Sequence, residues 1–196
     1  MAMSNDNKSQ VVIAIHKPGL NEYMFFLLSG IIISIPFAIF YESFADNFCY
    51  TLPVFPAEIC SIALIAPFIE EFAKAYPLFY RHGETQRSIF KLGLATGLGF
   101  GISEFFVYVT VINAPVAIRI PALFFHAAST SIVAYGVATR KPFTFYFIAV
   151  LLHISNNLFA ILGDIWFFGG TLTILLAYII SYRLYIQTSE VVVKNF

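Results

Sequence analysis

Carboxylates and imidazoles recur where an otherwise apolar sequence should not carry them. The run IAPFIEEFAKAYP holds Glu70, Glu71 and Lys74, GFGISEFFVY holds Glu104 and Tyr108, FFHAAST holds His126, and LLHISNNL holds His153, Asn156 and Asn157. An ionisable side chain inside a membrane span costs about 2.5–3.5 kcal/mol on insertion scales, so such residues mark reaction centres or ion paths by default. Their spacing adds direction. His153 and Asn157, Glu70 and Lys74, and Glu104 and Tyr108 each stand four residues apart, and each pair therefore projects from one helix face. The set covers what peptide hydrolysis needs: Glu70 or Glu71 as general base on a water, Lys74 orienting that pair, His126 holding or polarising the water, and His153 with Asn157 donating to a developing oxyanion. Glu104 would orient a histidine or ligate a metal.

Charge narrows the chemistry without deciding it. Three carboxylates and Lys74 leave a formal charge near minus two, which a low-dielectric site does not hold uncompensated. Shared protons on Glu70 and Glu71, an imidazolium on His126 or His153, or a divalent metal would each neutralise it. Zinc held by Glu71, Glu104, His126 and His153 is one reading, although the HExxH motif is absent; a metal-free, Glu-dependent site is the other.

These residues must be positioned by membrane-spanning helices. Hydrophobic residues make up 59% of the 196 residues and charged residues only 11%, against about 25% in soluble domains. Lys+Arg and Asp+Glu both number 11, which gives no electrostatic reason to expect a nucleic-acid partner. Apolar stretches at Tyr23 to Tyr41, Pro53 to Tyr80, Ser88 to Asn113, Val116 to Thr139, Pro142 to Gly163 and Ile165 to Tyr182 predict six spans. The expected architecture is an all-α, polytopic bundle in one domain, 1–196, with 1–20 as a tail or interfacial segment and the polar layer within 65–158. Lys8, Lys17, Arg81, Arg87, Lys91, Arg140, Lys141, Arg183 and Lys194 then share the cytoplasmic side, which predicts a multi-pass cell-membrane protein with both termini inside. Counted from the outer helix ends, Glu70, Glu104, His126 and His153 fall roughly 10 to 17 Å deep, in one layer. Gly93, Gly97 and Gly101 form a small-residue ridge on the third span. Cys49 and Cys60 are read as packing thiols, Arg119 as snorkelling outward, Trp166 as an interfacial residue, His16 and His82 as solvated loop residues, and Asp164 as a helix end.

On these motifs the sequence resembles the PrsW family of intramembrane proteases and, more distantly, the CAAX-processing and bacteriocin-immunity proteases. EEFAK matches the EExxK element at Glu70, Glu71 and Lys74, and SEFFVY matches a second element at Glu104 and Tyr108; HAASTSIVAYG with His126 and HISNN with His153 and Asn157 look like the third and fourth. Phe105 stands where PrsW-type sequences usually place Asn. Ala75 stands where the CAAX-processing relatives have a basic residue, which disfavours a prenyl-protein substrate. The resemblance implies a membrane-embedded hydrolase, classed with metalloproteases, that cuts a membrane-spanning protein of the anti-sigma-factor kind. Two other functions compete with it: a proton- or cation-coupled transporter or channel, against which the lack of internal repeats counts, and a non-enzymatic scaffold whose polar layer fixes helix register.

Overall fold

The computed structural model describes residues 16–80 and 85–193. Among them the backbone is helical, and one isolated bridge, Thr85 to Val192, takes the place of any sheet. Six rods follow in order: α1 (Leu20–Cys49), α2 (built from Val54–Glu58, Ile59–Ile65, Ala66–Ala75 and the 3-10 turn Tyr76–Phe79), α3 (Gln86–Thr110), α4 (Val116–Ala138), α5 (Pro142–Ile161) and α6 (Trp166–Gln187). Five of these, all but α2, are long and apolar enough to cross a membrane. α2 is divided into shorter pieces and carries Glu58, Glu70, Glu71 and Lys74. The expectations for Lys8, Arg81, His82, Lys194 and the side chains of Asp164 and Trp166 lie outside the described residues.

Several expected boundaries move for local reasons. α1 runs past Tyr41 through YESFADNF to Cys49, because Glu42 and Asp46, one turn apart, line an internal cavity rather than marking a loop. α6 extends past Tyr182 to Gln187, and α3 stops at Thr110, before Asn113 adopts a left-handed φ of 59°. The cysteines are not packing thiols: Cys49 and Cys60 form a disulfide with Cα atoms 5.6 Å apart, joining the end of α1 to the start of α2. His16 is exposed but pairs with Glu22 at 2.8 Å.

α1 and α2 each contain a π-helical segment, Gly30–Ser34 and Ile59–Ile65. In α2 the widening turns on proline. The Ala66 N–H reaches back five residues to the Ser61 carbonyl, so the next carbonyl, Ile62, faces Pro67, which has no N–H. Asn157 of α5 supplies the missing donor, its Nδ2 bonding the Ile62 carbonyl at 3.0 Å. Pro77 likewise leaves the Ala73 carbonyl without its helical partner, and Ser34 of α1 donates to it at 3.0 Å. Tyr146 of α5 donates to the Phe68 carbonyl at 2.7 Å. Asn157 and Ser34 therefore supply the donors that the prolines remove, the latter at a buried carbonyl, and Tyr146 adds a bond to a carbonyl of the regular stretch.

α3 and α4 pack differently, backbone against backbone. A Cβ on Gly97 would strike the His126 carbonyl and come within 2.6 Å of Thr130 Oγ1, and one on Gly101 would strike the Leu123 carbonyl. Between α3, α4, α5 and α6, Phe90, Phe125, Ile132, Leu152, Ala177 and Leu184 form a buried apolar cluster. The chain after α6 folds back on α3: the Gln86 and Arg87 N–H groups donate to the Val191 and Ser189 carbonyls, both at 3.1 Å, while Thr85 Oγ1 accepts from the Ser88 N–H. The first turn of α3 thereby gains partners for orphan donors.

Candidate active site and metal centre

Four rods bring the polar residues of the sequence to one place. α2 contributes Glu70, Glu71 and Lys74, α3 Glu104 and Tyr108, α4 His126, and α5 His153 and Asn157. Glu71 is the closed centre: its Oε1 accepts from Lys74 Nζ at 2.7 Å, His153 Nδ1 at 2.9 Å and Ser129 Oγ at 3.1 Å. Glu71 and Lys74 are both 0% exposed, so they form a fully desolvated ion pair. Lys74 therefore pairs with Glu71 on the next-but-two position, not with Glu70 on the fourth. Its Nζ also lies 3.0 Å from His126 Nδ1 and 4.7 Å from the centre of the Phe100 ring.

These bonds fix both imidazoles. A lysine ammonium can only donate, so His126 Nδ1 accepts and Nε2 carries the ring proton toward Glu104 Oε2 at 2.5 Å. A carboxylate can only accept, so His153 Nδ1 donates to Glu71 and its Nε2 lone pair is left facing Glu70 Oε2 at 3.7 Å. Glu70 Oε2 is buried and has no hydrogen-bond partner. Two potential acceptors face each other across 3.7 Å, an arrangement that a shared proton or a bound metal cation would satisfy.

Glu70, His126 and His153 each offer one ligand atom, all within 4.8 Å of one another. A carboxylate with two imidazoles is a donor set suited to a divalent transition metal, and the Glu71 bond to His153 Nδ1 is the outer carboxylate that orients a ligating histidine. Glu70 and His153 fit the group as they stand, and His126 joins them once its Nε2 proton is released, as metal ligation requires. Glu70, and not the Glu71 of the sequence reading, stands in this triad; Glu71 Oε1 is engaged by Lys74, Ser129 and His153, while its Oε2 is buried without a hydrogen-bond partner.

The site opens into a cavity of about 290 Å³ that reaches Asp46, Tyr50 and Ser61 beside the disulfide. Along its wall Asp46 and Ser61 are hydrogen-bonded to each other. Arg119 is the largest departure from expectation. It does not snorkel outward; its Nη2 lies 3.0 Å from Glu104 Oε2 and its guanidinium stacks 3.7 Å over the Tyr108 ring. Glu70, Glu71 and Glu104 are therefore met by Lys74 and Arg119, which leaves one formal negative charge among them instead of two, to which Glu42 and Asp46 on the cavity wall add their own carboxyl groups. The position of Arg119 seven residues before His126, two helical turns along the same face, was the signal available in the sequence. Asn157 lines the cavity, but its Nδ2 is engaged with the Ile62 carbonyl. Ser129, three residues after His126, and Glu42 and Asp46 on the extended α1 also belong to the polar assembly and were missed.

No curated protein and no solved structure matches the chain. A family profile described as PrsW family intramembrane metalloprotease matches residues 19–184, which contain all six rods apart from the end of α6. A conserved-family match over that length, on a bundle whose buried carboxylates and imidazoles converge as described, makes the chain a member of the PrsW family of intramembrane metalloproteases.

Proposed function

We propose that the protein hydrolyses a peptide bond in or just outside the transmembrane segment of another membrane protein, using the cavity between α2, α3, α4 and α5. The observation that carries this reading is the unpartnered Glu70 oxygen facing the His153 lone pair at the cavity floor. Glu70, His153 and, on release of its Nε2 proton, His126 would hold the metal, zinc being the ion that such a donor set most often takes; when bound, it supplies Lewis acidity and a more acidic water. Lys74 and Glu71 are positioning residues that hold the two rings with Nε2 toward the cavity. Glu104, facing the cavity beside Arg119, takes a proton from water and returns it to the leaving amine. Arg119 offsets negative charge that develops on the scissile carbonyl oxygen. Asn157 is assigned to the backbone of α2 rather than to the oxyanion.

Two observations support an outward-facing mouth and cytoplasmic termini. The Cys49–Cys60 bond beside the mouth belongs in an oxidising compartment, and Lys17, Arg87, Arg140, Lys141 and Arg183 lie at the opposite ends of the rods. Cleavage is therefore expected in the outer half of the substrate's span, near a Gly or Pro that frees its backbone from helical bonds.

The test is cleavage of a panel of single-span proteins in liposomes, with products located by mass spectrometry and metal counted by elemental analysis. Glu70→Gln and Glu104→Gln are each expected to lower turnover by more than about a hundredfold, the usual scale for loss of an acid or base group. Only Glu70→Gln is expected to lower the metal content. Wild-type rates for both variants would refute the protease assignment, and full activity without metal would refute the metal centre.

A further inference from the structure

A second cavity, of about 330 Å³, lies between α4, α5 and α6 and adjoins the first: Arg119, Ala122, Asn156 and Ala160 line both. Its outer wall adds the small or compact Ala117, Pro121, Gly170 and Thr171 beside the larger Ile118, Phe167 and Ile174. We propose that this groove is the lateral entrance through which the substrate's transmembrane segment, already unwound to an extended strand, reaches the catalytic cavity; the proposal rests on the protease reading above.

Three features of the groove fit a strand better than a lipid tail. Small side chains let another backbone approach closely. Pro121 lacks an N–H, so the exposed Ala117 carbonyl has no helical partner four residues on and can accept from a strand laid along α4. The Pro121 carbonyl already takes the Tyr178 hydroxyl of α6 at 3.1 Å, so a carbonyl of this stretch accepts from a donor outside its own helix. Continuity with the site is the deciding feature. The larger groove between α3, α4 and α6, about 630 Å³, shares no lining residue with the catalytic cavity, and neither does the apolar groove at Phe72, Phe79 and Phe143.

The experiment uses full-length protein carrying Glu70→Gln to hold uncleaved substrate. The probe is a single-span reporter, already found to be cleaved by the wild type, in liposomes of phosphatidylethanolamine and phosphatidylglycerol. A benzophenone side chain replaces in turn Ala117, Thr171, Tyr182 or Phe143, all of them exposed. Irradiation is expected to join the reporter to positions 117 and 171 and not to 182 or 143. Adducts at 182 or 143 instead, adducts at all four alike, or phospholipid adducts alone at 117 and 171 would each overturn the entrance while leaving the protease reading intact. Failure of the wild type to cleave any reporter would overturn that reading, and the entrance with it.

Discussion

The α3–α4 pair and the α1–α2 pair deliver equal shares of one site by opposite means. α3 is regular throughout and α4 from Pro121 onward, their backbones meet at glycines, and they present Glu104, Arg119 and His126 from closely packed helices. α1 and α2 are interrupted by π-helical turns and prolines, and α2 presents Glu70, Glu71 and Lys74 from a rod whose proline-freed carbonyls are held by Ser34 and Asn157. A regular helix places successive side chains 100° apart, whereas a π turn shifts that phase. Glu70 and Glu71 sit together in the regular stretch Ala66–Ala75, so the π turn before them sets where both point at once: Glu71 into the closed ion pair, Glu70 into the cavity. Such bulges are frequent at functional sites for this reason.

If that contrast is right, the two halves should fail differently. The strongest expected effect is at their junction. Lys74→Met removes the cation that binds Glu71 of α2 to His126 of α4 and should cost about 3–5 kcal/mol, the range for breaking a buried ion pair by removing one partner. Unfolding in mixed detergent–SDS micelles reads it. A loss below about 1 kcal/mol would mean that the pair is not a structural tie, since exposed pairs are worth no more than that.

Within the rigid half, Gly97→Leu drives a side chain into the His126 carbonyl and should destabilise by about 1–3 kcal/mol through overpacking. Because the strain falls on His126 itself, metal binding should weaken as well. Unchanged metal affinity would show that α4 yields without moving the ring.

The mildest effects belong to the irregular half, where single hydrogen bonds are at stake. Ser34→Ala and Asn157→Ala each leave one α2 carbonyl without its side-chain donor and should cost about 0.5–1.5 kcal/mol, the net worth of a typical hydrogen bond. Asn157→Ala should lower turnover less than about tenfold, whereas losing a true oxyanion donor costs about a hundred- to a thousandfold. A loss on the larger scale would return Asn157 to the reacting centre.

How much of this the sequence disclosed follows from the same division. Glu70, Glu71, Lys74, Glu104, His126 and His153 could be picked out because charge in an apolar run is conspicuous, and a constant rise per residue was enough to put them in one layer. Which of two neighbouring carboxylates faced the cavity could not be read, because the π turn before them alters the helical phase. Arg119 misled for a different reason: a long cation near a helix end reaches water or folds inward with equal ease, and only Glu104 and Tyr108 on another helix decide it. The cysteine pair depends on how the α1–α2 turn closes, which spacing along the chain does not encode.

The fold-back after α6 bears on the order in which the molecule is completed during synthesis. The N–H groups that open α3 wait for carbonyls about a hundred residues downstream, as the 103-residue separation of Gln86 and Ser189 records. α3 is made early, yet its first turn stays open until all the later rods have been synthesised and the segment around Ser189 to Val191 has docked. Thr85 holds that turn provisionally in the meantime. Elements generally fold in the order they emerge, but here the end of the α3–α4 pair at which α3 begins is sealed last, so a ribosome stalled after α5 would display a bundle whose α3 is still frayed at its start.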